Sequence, residues 1–230
     1  MQPITNIVQL RQLLAERFSA LCQFSEQPSL KAASWPTGLA AIDHLLRGGL
    51  PKSAISELVS SQLSAGSALI VAALLRQTCQ TNQWLGLVDG RDCFDPAPLD
   101  NTLLSRLLWV RCRETKQALK AADLLLRDGN LPLLVFDLRL NPAAELRRIP
   151  ATTWYRLQRI VELASTTLLV LTPRPMVQGA QVRLSLQSRF TLEALMETEE
   201  ELLSRLKIEL VQRRSFAGQQ EGHAWIAEAG

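Results

Sequence analysis

Hydrophobic positions follow two periods along this chain. Ile4, Ile7, Val8, Leu10, Leu13, Leu14, Phe18 and Leu21 recur at helical spacing, with Arg11, Glu16 and Arg17 mostly on the other side. They predict an N-terminal amphipathic helix within residues 1–24. Residues 25–34 hold Pro28 and several Ser and Gln without a period, and read as a linker. From Trp35 onward, short apolar runs alternate with helical patterns. Ala54–Val59, Trp84–Asp89, Leu107–Val110, Leu131–Asp137 and Thr166–Thr172 read as buried strands. Leu39–Leu46, Ala65–Leu75, Lys116–Leu126 and Thr152–Ala164 read as helices. Such alternation predicts an α/β domain over residues 35–230 with a mainly parallel central sheet and right-handed crossovers. After Pro175, Val182–Leu186, Phe190–Ala194, Leu206–Val211 and His223–Ala227 predict short strands. Leu206–Val211 alternates apolar and polar residues, so the sheet is expected to finish with antiparallel strands. The acidic stretch Glu197–Glu201 reads as a solvated connector or helix start.

Composition narrows the chemistry. The chain has 230 residues and is 47% hydrophobic, enough for a full core. A net charge of +3 is too weak to argue for nucleic acid by itself. The four cysteines, at 22, 79, 93 and 112, show no C-x-x-C spacing and read as reduced thiols. His44 and His223 lack neighbouring ligands, and Asp89, Asp92 and Asp95 recur every third residue without partner ligands, so no metal site is expected. Neither histidine lies beside a strand–Ser–helix elbow, which leaves no Ser–His–Asp candidate. No apolar run approaches the ~18 residues of a membrane span, and the N-terminus lacks a signal-peptide pattern. A cytoplasmic protein is expected.

The stretch 54–75 is strand, tight loop, helix, the place where a P-loop NTPase holds its phosphates. The motif G-x-x-x-x-G-K-[ST] falls on Ser60, Ser61, Gln62, Leu63, Ser64, Ala65, Gly66 and Ser67. Both loop glycines are replaced, Gly66 stands where the lysine belongs, and only Ser67 fits. Glycine lets backbone N–H groups wrap phosphate, and lysine places a cation on it. Losing one charge-assisted contact costs about 1.5–3 kcal/mol.

The order T-G-x-x-x-I-D-x-x-L-x-G-G-L-P over Thr37–Pro51, then a strand with Glu57, then the phosphate-loop position, resembles the RecA family. The similarity continues through Leu87–Asp89, the Phe94-Asp95-Pro96 turn, Leu133–Asp137, Thr167–Leu171 and the closing strands, and so covers residues 35–230. It implies a RecA-like three-layer core. Asp137 is similar to the Walker B acid and could hold magnesium. Arg91 stands at the family's catalytic glutamate position, and the family's glutamine is replaced within Thr172-Pro173-Arg174. The expectation is therefore a degenerate phosphate loop (Ser60, Ser64, Ala65, Gly66, Ser67), no catalytic residue, no cofactor with ATP binding disfavoured, and no enzyme: a pseudo-ATPase. The short segments at the positions of the DNA-binding loops carry Arg139, Arg147, Arg148, Arg174 and Arg183, candidate contacts to DNA phosphates. Within the family the chain looks like the ImuA group, accessory proteins of translesion synthesis in the bacterial SOS response. That resemblance implies a polymerase-like partner of the ImuB type, with RecA as a second partner. Two alternatives stay open: a cell-division inhibitor like SulA, and a RecA-type DNA-dependent ATPase with an unorthodox site.

Overall fold

The apolar runs at Ile55–Val59, Leu85–Asp89, Leu133–Asp137 and Thr167–Thr172 become strands buried on both faces, where parallel strands belong, while Leu107–Arg111 is a half-covered strand at the sheet edge. The computed structural model describes residues 34–214. In chain order, β1 (Ser34–Trp35), α1 (Ala40–Leu46) and β2 (Leu50–Pro51) lead into β3 (Ile55–Val59). Then come α2 (Ser67–Gln80), β4 (Leu85–Asp89), α3 (Asn101–Leu104), β5 (Leu107–Arg111) and α4 (Thr115–Asp128). They are followed by β6 (Leu133–Asp137), α5 (Ala143–Leu146), α6 (Ala151–Ala164) and β7 (Thr167–Thr172). β8 (Val182–Leu186), a 3-10 turn at Leu192–Met196, α7 (Glu199–Ser204) and β9 (Ile208–Arg213) complete the described chain.

Strands β3 to β9 form one seven-stranded sheet in the order β5-β4-β6-β7-β3-β8-β9. Every pairing is parallel except β8 with β9, as the change of pattern after Pro175 predicts. Side chains of β6 and β7 divide by the strand period. Leu133, Val135, Leu169 and Leu171 pack on one face with Ile70 and Leu74 of α2. Leu134, Phe136, Leu168 and Val170 pack on the other with Ala118 of α4 and Trp154 of α6. The result is three layers, the α/β architecture of a RecA-like core. Each fully buried Leu or Phe contributes about 1.5–3 kcal/mol to it.

Local chemistry sets the boundaries of the elements that flank the site. In α4, Ala118, Ala122 and Leu126 form one buried stripe at i, i+4, i+8. The helix stops at Gly129, whose φ of +70° is the left-handed C-cap. The T-G-x-x-x-I-D order has a structural reason: Asp43 Oδ1 accepts from Thr37 N (2.9 Å) and Thr37 Oγ1 (2.8 Å), fastening α1 to the chain before it. At the acidic connector, Thr198 and Glu201 form a capping box that starts α7.

One predicted strand is corrected. Phe190–Ala194 does not join the sheet; the chain turns at Leu192–Met196, and Phe190 N donates to Ser64 O at 2.9 Å. The predicted helix at 1–24, the linker at 25–34 except for Ser34, and the strand His223–Ala227 lie outside the described residues. Among the described residues, no helix is long and apolar enough to cross a membrane.

Candidate phosphate-loop site

Residues 60–66 connect β3 to α2 as the sequence predicts. Ser60 N donates to Thr172 O (2.8 Å) and Ser60 Oγ to Gln62 O (2.8 Å), tying the loop to the end of β7. Ser64 is exposed and Ala65 buried. Gly66 caps α2 with φ +89°. A Cβ on Gly66 would lie 2.6 Å from Phe190 Cε2 and 2.9 Å from Leu206 Cδ2. Both backbone and space therefore require glycine where the motif has lysine.

The loop does not lack a cation. Arg139 Nε donates to Asp137 Oδ1 at 3.0 Å, its Nη2 donates to Oδ2 at 2.6 Å, and its Nη1 donates to the Ser67 hydroxyl. Ser67 and Asp137 are buried, and the Arg139 side chain is 18% exposed. Asp137, the acid similar to the Walker B position, has its carboxylate held by Arg139. A recess of about 260 Å³ opens in front of Gly66 and Ser67, lined also by Arg139, Leu63 and Phe190. It shares Ala68, Leu69 and Leu202 with a neighbouring recess of about 370 Å³ beside Phe94 and Leu99. The N-terminus of α2 faces the recess with the polarity that suits an anion, but Arg139 is committed to Asp137 and Ser67, so the residues present supply no free cation for a phosphate group. Nor do they fit a magnesium ion in this arrangement, because both carboxylate oxygens of Asp137 already accept from the Arg139 guanidinium.

Two further carboxylates order the surrounding turns. Glu57, fully buried in β3, accepts at Oε1 from Thr172 Oγ1 (3.0 Å), Met176 N (2.8 Å) and Val177 N (3.1 Å). Its Oε2 accepts from Arg183 Nε at 2.5 Å. Asp89, fully buried at the end of β4, accepts from Cys93 N (2.9 Å), Phe94 N (2.8 Å) and Trp109 Nε1 (3.3 Å). Asp92 pairs with Arg111, and Asp95 accepts from Ala97 N. The three aspartates thus shape a turn. Burial, followed by the charges of Asp89 and Asp137, pushes the Cys93 thiol up to about 12.

The five arginines singled out in the sequence divide into two sets. Arg139 and Arg183 are drawn inward onto Asp137 and Glu57, a correction to their reading as DNA contacts. Arg147, Arg148 and Arg174 are exposed, with no ion pair among the described residues. Arg91, at the expected glutamate position, is exposed and donates through Nη1 to Arg113 O at 2.5 Å. Sequence reasoning missed the covering role of Phe190 and Leu206 and the capping of Ser67 by Arg139. The i, i+2 spacing of Asp137 and Arg139 was an available signal for their pairing with each other, not for the contact with Ser67.

No family model matches the chain. It is similar to curated RecA proteins: 33% identical over 116 residues to that of Methylococcus capsulatus, covering 48% of this chain and 33% of the relative. The RecA proteins of Cutibacterium acnes and Streptomyces avermitilis are each 30% identical, over 132 and 137 residues, covering 55% of this chain. The chain spans about a third of the length of the curated relatives it matches. Similarity to several members of an ATPase family overturns the expectation that the chain is no enzyme.

Proposed function

We propose that this chain is a RecA-like accessory protein of bacterial DNA-damage tolerance, acting in translesion synthesis through contacts with a polymerase-like partner of the ImuB type and with RecA. The observation that carries this reading is the internal commitment of the segments after β6 and β7. Arg139 is spent on Asp137 and Ser67; Met176 and Val177 donate their backbone N–H groups to Glu57; Arg183 closes the same carboxylate. Leu146, Val177 and Ala180 are buried. The packing of these segments against the core supports protein contacts over loops that reach for DNA, with Arg147, Arg148 and Arg174 left exposed on them. The similarity to RecA proteins supports the choice of core and the DNA-repair setting.

The test is co-purification of the full chain with the polymerase-like protein, followed by size-exclusion chromatography with and without RecA. A stoichiometric complex is the expected result. Separate elution at micromolar concentrations of both proteins would remove the partner assignment.

A further inference from the structure

A groove of about 740 Å³ lies between the N-terminus of α4 and the segment after α5, and shares no lining residue with the recess at Ser67. Its walls carry Arg91 from the turn after β4, Arg113 and Lys116 around the start of α4, and Arg148 after α5. All four are exposed. Arg76, Arg111, Arg127, Arg139, Arg156, Arg183 and Arg205 each have a carboxylate within ion-pair distance. The four groove cations have none among the described residues. The groove's own acids are Glu114 and Glu145. Glu145 is already engaged: its Oε2 accepts from Thr115 N (3.0 Å) and Thr115 Oγ1 (2.7 Å), sitting where an anion suits the α4 helix dipole. Arg91 is anchored to the wall by its bond to Arg113 O, so part of its ordering cost is already met in the free protein. Between the cations, Leu119, Ile149 and Pro150 give the groove an apolar floor.

We infer that this groove binds an acidic linear segment of a protein partner, its carboxylates on the four cations and one large apolar side chain on the floor. The inference rests on the protein-contact reading above and names the surface that serves it. Charge complementarity selects an anionic ligand, and guanidinium groups suit carboxylates. The floor selects a peptide over nucleic acid. A phosphate backbone would leave Leu119, Ile149 and Pro150 uncovered, and its evenly spaced charges would meet Glu114 and Glu145. A peptide can place a neutral residue opposite each of those acids.

The probe is a phage-displayed library of random dodecapeptides selected on the full chain, with fluorescein-labelled oligo-dT as the nucleic-acid comparison. Enriched peptides are expected to carry excess Asp and Glu with one Leu, Phe or Trp. Arg91→Glu with Arg148→Glu is expected to weaken their binding by about tenfold or more. Arg159→Glu, an exposed charge on α6, is expected to leave it unchanged. Selection without acidic bias, acidic peptides indifferent to the double reversal, or oligo-dT binding lost on the double reversal while peptides are not would each overturn the inference. The partner is scored separately. If acidic peptides bind through these cations but the polymerase-like protein does not co-purify, the groove stands and the partner assignment falls. If the partner co-purifies equally with the wild type and the double variant and no acidic peptide is selected, the groove alone is overturned.

Discussion

Arg139 caps Ser67 while paired to Asp137, so the cation absent from position 66 reaches the phosphate loop from the end of β6 instead. Asp137 is nearly buried, and without its partner the charge would be stranded. Arg139→Ala is expected to lower unfolding free energy by about 3 kcal/mol, the low end for breaking a buried pair, because the guanidinium keeps some solvent. Arg139→Met combined with Asp137→Leu should recover most of the loss. Urea titrations of the wild type, Arg139→Met, Asp137→Leu and the variant that combines them give the coupling. A coupling energy near zero would show that the pair is ornamental.

Gly66→Lys would restore the family's residue at this position, and it is expected to harm the protein. Lysine at φ +89° is strained, and its Cβ would collide with Phe190 and Leu206. Strain and overpacking each cost about 1–3 kcal/mol. Gly66→Lys should therefore shift the urea midpoint downward, and Gly66→Lys with Phe190→Ala should regain part of the shift. An unshifted midpoint for Gly66→Lys would mean that Phe190 does not hold the loop.

Removing one member of the Glu57–Arg183 pair should cost more than any other single charge change in the core. Glu57→Ala leaves Arg183 without its carboxylate and orphans the N–H groups of Met176 and Val177. A loss of about 3–5 kcal/mol is expected. Glu57→Gln keeps an acceptor and should cost less. If thermal melts place the two variants together, the backbone bonds to Oε1 do not matter to the fold.

What the sequence disclosed about this fold follows from how local each signal is. Val182–Leu186 was legible to the residue, because its inward and outward positions alternate within five residues. Ser67 and Asp137 were legible because a loop after a strand and an acid at a strand end are local patterns. Phe190–Ala194 misled: Phe190, Leu192 and Ala194 alternate like a strand, but Phe190 packs against Gly66 and its N–H bonds Ser64. Arg139 reaches Ser67 across 72 residues, and no local period records such a pair. Its positive charge, with Arg183's, read as surface chemistry until burial showed both facing acids. The groove was invisible for the same reason, since Arg91, Arg113 and Arg148 come together only after β4, β5 and α5 are placed.

Cys93 should be a slow thiol despite its exposure. Its Sγ lies 3.5 Å from Asp89 Oδ1, and partial burial of the thiol itself, with the neighbouring carboxylates, raises its pKa to about 12. Because the thiolate is the nucleophile, alkylation by iodoacetamide at pH 8 is expected to run at least about a hundredfold slower than for free cysteine. Peptide mass spectrometry over a time course reads this site separately from Cys79 and Cys112. A rate equal to that of free cysteine would place the sulfur away from Asp89.

The Thr115 hydroxyl and N–H hold the Glu145 carboxyl below its ordinary value, with Arg91 and Arg148 adding to the effect. A depressed carboxylate stabilises the fold above its unfolded ionisation and loses that contribution as pH falls through the folded one. The contribution is therefore complete at neutral pH and declines below the ordinary glutamate value of about 4.3. Thr115→Val removes the hydroxyl bond, so the melting temperature of this variant should trail the wild type most at neutral pH, and the gap should narrow as the buffer is taken below that value. Thr115 Oγ1 also accepts from Asn141 Nδ2 at 2.8 Å. That bond does not titrate, so its loss leaves a constant offset beneath the pH-dependent part. Thermal melts of both proteins across this range separate the two. A gap of constant size at every pH would assign the whole effect to Asn141 and none to Glu145.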